Sequence, residues 1–210
     1  MTEPLVAISD YLLAAETASL AYAFRVRHRR SDLSGWIVLL FLALSAASLA
    51  GGTTHGFFLD ETSVGHAIFW PATLLAIGAT ALCLAAIAFR LGFDPGAARR
   101  STWVALAFLL VYCLIVLFVY AEFLVAILAY LPAVLLLLAV LLRVWLRRHR
   151  APYLLGVLAV VLTLLASAVQ QASFSIPGLP HANNVLYHLI EAIALFILFL
   201  AFLGIERVRT

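Results

Sequence analysis

Lysine is absent from this chain of 210 residues, and all 13 of its fixed positive charges are arginine. That absence excludes Schiff-base chemistry, including a retinal linkage of the microbial rhodopsin kind, although the helix number and orientation derived below would suit one. Charge of either sign is scarce: 11% of residues are charged and 66% are apolar, against about half apolar in a soluble domain. Cysteine is limited to Cys83 and Cys113. Both fall in the middle of apolar runs, where a thiol behaves as a small apolar residue, which argues against a structural disulfide. No internal repeat marks an inverted-repeat transporter, which weakens a transport reading. The N-terminal Met-Thr-Glu-Pro lacks a basic n-region, and Asp10 and Glu16 interrupt the first apolar stretch. That segment is therefore expected to remain as a span rather than to act as a cleaved signal.

The arginines that are present fall in four clusters: Arg25 to Arg30, Arg90 to Arg100, Arg143 to Arg150, and Arg207 with Arg209. Each interval between clusters has room for two membrane crossings of about 20 residues, so every cluster lands on one side of a bilayer. Short Arg-rich loops stay cytoplasmic, which puts the N-terminus outside and the C-terminus inside. The net charge of +3 and pI of about 9.1 then report topology and some affinity for anionic lipid, and nucleic acid is not an expected partner.

The expected fold is all-α, a single polytopic membrane bundle of about seven transmembrane helices over residues 1–210. The apolar segments predict helices over Leu5 to Phe24, Gly35 to Leu59, Gly65 to Phe89, Thr102 to Val119, Glu122 to Leu142, Pro152 to Phe174 and Asn183 to Leu203. Trp36, Trp70, Trp103 and Trp145 lie near the boundaries, as an aromatic belt requires. Tyr112, Tyr120 and Tyr130 read as packing or interface residues.

The polar side chains within the spans gather in the outer half. His55 lies about a turn below the outer surface, His188 and Glu191 about two turns below it, and Asp10 at nearly that depth. At 1.5 Å of rise per residue, Asp10, His55 and His188 agree in depth to within roughly 5 Å. His66, Gln170, Gln171, His181, Asn183 and Asn184 crowd the same layer. Ionisable groups in a span are costly, face the bundle interior by default and mark a functional site. Asn184, His188 and Glu191 share one helix face, and a Glu/His pair three apart is metal-ligand spacing in helical bundles. Gly51 and Gly52 would let helix 2 approach a neighbour closely. The bland alternatives are that His181 and His66 serve only as interfacial hydrogen-bonding groups, that Asp10 bonds a neighbouring helix, and that Asp60 with Glu61 forms a solvated turn.

Gly51-Gly52-Thr53-Thr54-His55-Gly56 and His181-Ala182-Asn183-Asn184-Val185-Leu186-Tyr187-His188 resemble two signatures of an uncharacterised family of small bacterial membrane proteins. More distantly, the arrangement is similar to the CREST superfamily of seven-helix membrane hydrolases: alkaline ceramidases, haemolysin III proteins and progestin/adiponectin receptors. That resemblance implies a zinc ion on a helix 2 histidine, matched by His55, and on helix 7 histidines, one matched by His188. Gly51 stands where the group has a serine, and His66 where it has an aspartate. The implied zinc ligands are His55, His188 and His66, with Glu191 as a substitute and Asp10 or Glu191 as general base. The implied chemistry is zinc-assisted hydrolysis of a lipid amide or ester, the metal lowering the pKa of a bound water to about 7. The implied location is the bacterial inner membrane.

Two other classes compete. One is a non-catalytic bundle that binds a lipid or apolar cofactor, or is a subunit of a larger membrane complex. The other is a haem protein with His55 and His188 as axial ligands. Membrane lipids, and a lipid-like substrate or ligand, are the expected partners.

Overall fold

A computed structural model describes residues 3–27, 31–172 and 181–209. It contains seven helices: α1 (Pro4–Arg27), α2 (Asp32–Phe57), α3 (Val64–Gly92), α4 (Pro95–Phe118), α5 (Phe123–Arg148), α6 (Ala151–Gln171) and α7 (Ala182–Arg209). Local chemistry sets the ends. Ser31 and Ser34 form a capping box at the start of α2, which satisfies amides that have no partner within the helix. Ser63 caps α3 by accepting from the His66 amide. Asp94 accepts from the Ala97 amide, with Pro95 following it, a pairing that starts a helix efficiently because proline needs no partner for a missing N–H. The same hydrogen bond holds the Asp94 carboxyl below its ordinary pKa. At the other end of the bundle Asp60 and Glu61 form the solvated turn, where the Thr62 hydroxyl and amide bond Asp60 and hold its carboxyl below the usual range.

Several helices outrun their apolar segments. α4 begins at Pro95 instead of Thr102, α5 continues past Leu142 to Arg148, and α7 past Leu203 to Arg209. Most of the arginine clusters therefore stand on terminal helical turns rather than in loops. Hydropathy locates the hydrocarbon slab, whereas backbone hydrogen bonding carries a helix on into the interface until a cap ends it. The expected end of helix 6 at Phe174, loop residues 175–180 and Arg29 and Arg30 lie outside the described residues.

Six helices, α2 to α7, are long and apolar enough to cross a membrane. α1 has 24 residues, about 36 Å of helix, but it carries Asp10 and Glu16. It packs between α2 and α7. The neighbours run α1–α2–α3–α5–α6–α7 and back to α1, a closed ring of six, while α4 lies outside against α3. Tyr112 anchors α4: its hydroxyl donates to the Leu74 carbonyl at 2.8 Å, and its ring occupies the space left by the missing side chain of Gly78.

The two ends of the ring differ. At the Arg-rich end, Arg90 bonds Asp32 at 2.6 Å and the Thr102 hydroxyl at 2.9 Å, and its guanidinium lies over the Trp36 ring. Arg209 reaches the Arg90 carbonyl, and Ser31 donates to Glu206. Toward this end the interior is solid: Phe24 and Phe41 meet Phe199 edge-on at 6.2 Å, among fully buried Leu40, Leu137, Leu141 and Phe202. Lipid tails are as apolar as these side chains, so dispersion between close-packed atoms holds the layer together rather than escape from water.

Candidate functional site

The opposite half is built around one close approach. A Cβ on Gly52 would stand 2.9 Å from the Asp10 Cβ and 3.1 Å from the Ala7 carbonyl oxygen, so the absent side chain is what lets α1 lie against α2. Ser45 donates to the Ala14 carbonyl at 2.9 Å, and the Tyr11 and Thr53 hydroxyls meet at 3.1 Å further along the same seam.

Held there, Asp10 meets α7. Its Oδ1 lies 3.2 Å from His188 Nε2, with both side chains 8% exposed. The other ring nitrogen, Nδ1, is 2.7 Å from the Ser9 hydroxyl. Ser9 also donates to the Val6 carbonyl at 2.8 Å. A hydroxyl has one hydrogen, so the imidazole donates from Nδ1 to Ser9. The Nε2–Oδ1 contact then holds one proton between imidazole and carboxyl. Ser9, His188 and Asp10 resemble a nucleophile, base and acid in series. Asp10 and His188 line the cavity described below and Ser9 does not, so this serine is not placed to attack a molecule bound there.

One turn deeper on α7, Glu191 is 3% exposed. Thr163 of α6 donates to its Oε1 over a long 3.4 Å, and Oε2 has no hydrogen-bond partner among the described residues. A buried acceptor left unsatisfied costs about 1–3 kcal/mol. Such an atom in a native site calls for a reason, and a missing ligand is one.

His55 belongs to a second group nearer the end of the bundle. Its Nδ1 is 2.7 Å from Glu3 Oε2, and the Glu3 amide donates to the His55 carbonyl at 3.0 Å. The other Glu3 oxygen lies 3.3 Å from His181 Nε2. One carboxyl thus ties the start of α1 to the end of α2 and the start of α7. His66 stands apart: its Nδ1 is 2.9 Å from the Phe58 carbonyl and its ring stacks beside Trp70.

Between these groups the ring of six helices encloses a cavity of about 450 Å³, inside the range of about 300–1,000 Å³ of small-molecule sites. Asp10, His55, Trp70, Tyr130, Gln170 and Glu191 contribute to its wall, one from each ring helix, and α4 contributes nothing. Four of the five sequence-derived site residues, Asp10, His55, His188 and Glu191, border this one space, and His66 does not. Toward the Arg-rich end the interior closes to a void of about 10 Å³ among Leu40, Leu84, Leu137 and Leu198, room for about one water at most. The cavity is therefore closed at the Arg-rich end.

The model of one protein family matches residues 5–207, which include all seven helices but for the end residues of α1 and α7 and every cavity-wall residue named above. The chain belongs to the DUF6962 family. It is a family of unknown function. Neither a curated protein nor a solved structure matches the chain, so the similarity to the CREST superfamily has no support beyond the residues that suggested it.

In this DUF6962 protein the zinc set implied by that similarity does not converge. His66 points elsewhere, both nitrogens of His188 already have partners, and His55 bonds Glu3. Among the described residues no group of three or more His, Cys, Asp or Glu side chains is arranged to hold a metal ion.

Sequence reasoning missed Glu3, Ser9, Thr163 and Tyr187, and it assigned Tyr130 to packing. Tyr130 and Tyr187 line the cavity. Tyr187 was within reach of the argument, since it stands three residues after Asn184 and four before Glu191, on the same helix face. Trp70, expected in an interfacial belt, faces the cavity instead, and its indole N–H donates to the Ala121 carbonyl at 2.7 Å. Trp103, 62% exposed, does sit where a belt residue would.

Proposed function

We propose that the protein is a non-catalytic membrane binding protein whose cavity takes one amphipathic molecule in the half of the bilayer away from the arginine clusters. By the charge rule that half is the outer one, in a bacterial inner membrane. The observation that carries the reading is the cavity itself. It is large, bordered by all six ring helices, and lined by carboxyls, imidazoles and amides above a closed apolar floor. Ionisable groups are retained in a span where they serve a site, and here Asp10, His55, His188 and Glu191 all border one space. Hydrolysis with zinc is supported less well, because its ligands would first have to leave the partners they hold.

The reading predicts that dodecanol or dodecylamine stabilises the protein in lipid nanodiscs. At about 100 times Kd, linkage gives about 2.7 kcal/mol, or roughly 5–10 °C in Tm for a chain of this size. Gly51 borders the cavity, with the Asp10 carboxylate and Thr73 within 3.7 Å of where its Cβ would be. Gly51→Leu, which fills that space, should remove the shift. No shift in the wild type with either compound, or an equal shift in Gly51→Leu, would overturn the reading.

A further inference from the structure

We propose that the ligand is a lipophilic amine, its ammonium group held by Glu191 and its chain lying between α5 and α6. This rests on the binding reading above and assigns the chemical class of its ligand. Among the described residues the wall of the cavity contains the carboxyls of Asp10 and Glu191 and no arginine, and the chain has no lysine. Nothing fixed and positive is available to meet a fatty-acid carboxylate or a phosphate, and either would face two carboxyls in a medium of low dielectric.

The two acids are not equivalent. Asp10 is engaged by His188 at 3.2 Å. Glu191 is buried, borders the cavity, and keeps one oxygen without a partner among the described residues. A neutral hydroxyl could fill the vacant acceptor, but an ammonium makes a charge-assisted bond, which is stronger. Aromatic faces favour the same choice. Trp70, Phe123, Tyr130 and Tyr187 line the cavity, and ring faces attract a desolvated cation.

The tail has a route. α5 and α6 close against each other near the Arg-rich end, where Leu141 packs on Gly156. Further along, Leu131 of α5 lines the cavity and is 39% exposed. Ser167 and Leu164 of α6 line the facing wall. A chain that starts at Glu191 would leave past Leu131, against Leu164 and Ser167.

The test compares dodecylamine, dodecanol and dodecanoate on wild-type protein in nanodiscs, with binding followed through Tm. The amine should bind tighter than the alcohol by roughly tenfold, equivalent to about 1.4 kcal/mol, and dodecanoate should give no shift. Glu191→Gln, which keeps shape and removes charge, should bring the amine down to the level of the alcohol. Equal binding of amine and alcohol by the wild type, preference for the acid, or a surviving amine preference in Glu191→Gln would overturn the amine assignment and leave the binding reading standing. No response to any of the three would remove the binding reading itself. The wild-type comparison alone decides the matter if Glu191→Gln does not fold.

Discussion

Asp10→Ala should lower the stability of the protein by about 3 kcal/mol, the upper cost of leaving a buried polar group without its hydrogen-bond partner. At about 2–4 °C per kcal/mol for a chain of this size, that is roughly a 10 °C fall in Tm. The cause is specific. His188 is 8% exposed and its Nε2 faces Asp10 at 3.2 Å, so the truncation strands an imidazole inside the bundle while Ser9 holds its other nitrogen. His188→Leu alone should cost a similar amount by stranding the carboxyl. The double variant Asp10→Leu with His188→Leu should cost clearly less than the two together, since a matched apolar pair leaves no orphan. Thermal melts of the three variants in nanodiscs check this. Additive losses would mean that the two residues act independently and that the contact is incidental.

Gly52→Leu is the second large effect. Here a Cβ meets the Ala7 backbone carbonyl at 3.1 Å and the Asp10 Cβ at 2.9 Å, and backbone cannot swing aside as a flexible side chain can. Overpacking of this kind costs about 1–3 kcal/mol. Because α1 must move off α2, Asp10 moves with it. The variant should therefore lose the response to dodecylamine as well as stability. Gly35 on the same helix has nothing among the described residues within 4 Å of a Cβ. Gly35→Ala should leave Tm unchanged or raise it slightly, since alanine is favoured over glycine in a helix by about 1 kcal/mol. A Gly52→Leu variant that binds dodecylamine as the wild type does would show that the α1–α2 approach does not position the site.

These two predictions depend on features of unequal legibility. The helical bundle was readable because apolar runs bounded by arginine clusters leave few alternatives. The site was half readable. Depth along each span follows from counting residues, and counting placed Asp10, His55 and His188 at one level, with Glu191 beside His188 on α7. Their rotation about the helix axes was readable only within α7, where Asn184, His188 and Glu191 share a face. Between helices it depends on which neighbours pack, and no period in the sequence states that α3 meets α5 or that α4 stands outside the ring. His66 shows the consequence: it has the right depth, but its Nδ1 is spent on the Phe58 carbonyl. Glu3 was overlooked for the opposite reason. It precedes the apolar run, yet its carboxyl meets two histidines from different helices. Hydropathy also set the helix ends too short wherever a cap such as Asp94 starts the backbone ladder before the lipid begins.

The central claim, a cavity closed at the Arg-rich end that binds a ligand, is tested most directly by thiol accessibility. In a background with Cys83 and Cys113 replaced by alanine, single cysteines are placed at Ser48 and Ser167 on the cavity wall and at Val160 in the closed layer. A small methanethiosulfonate reagent is added from the side opposite the arginine clusters. The account predicts that Ser48→Cys and Ser167→Cys react, that dodecylamine slows both reactions, and that Val160→Cys stays inert. Ser48→Cys and Ser167→Cys as inert as Val160→Cys in folded protein, or reacting at a rate indifferent to dodecylamine, would contradict it.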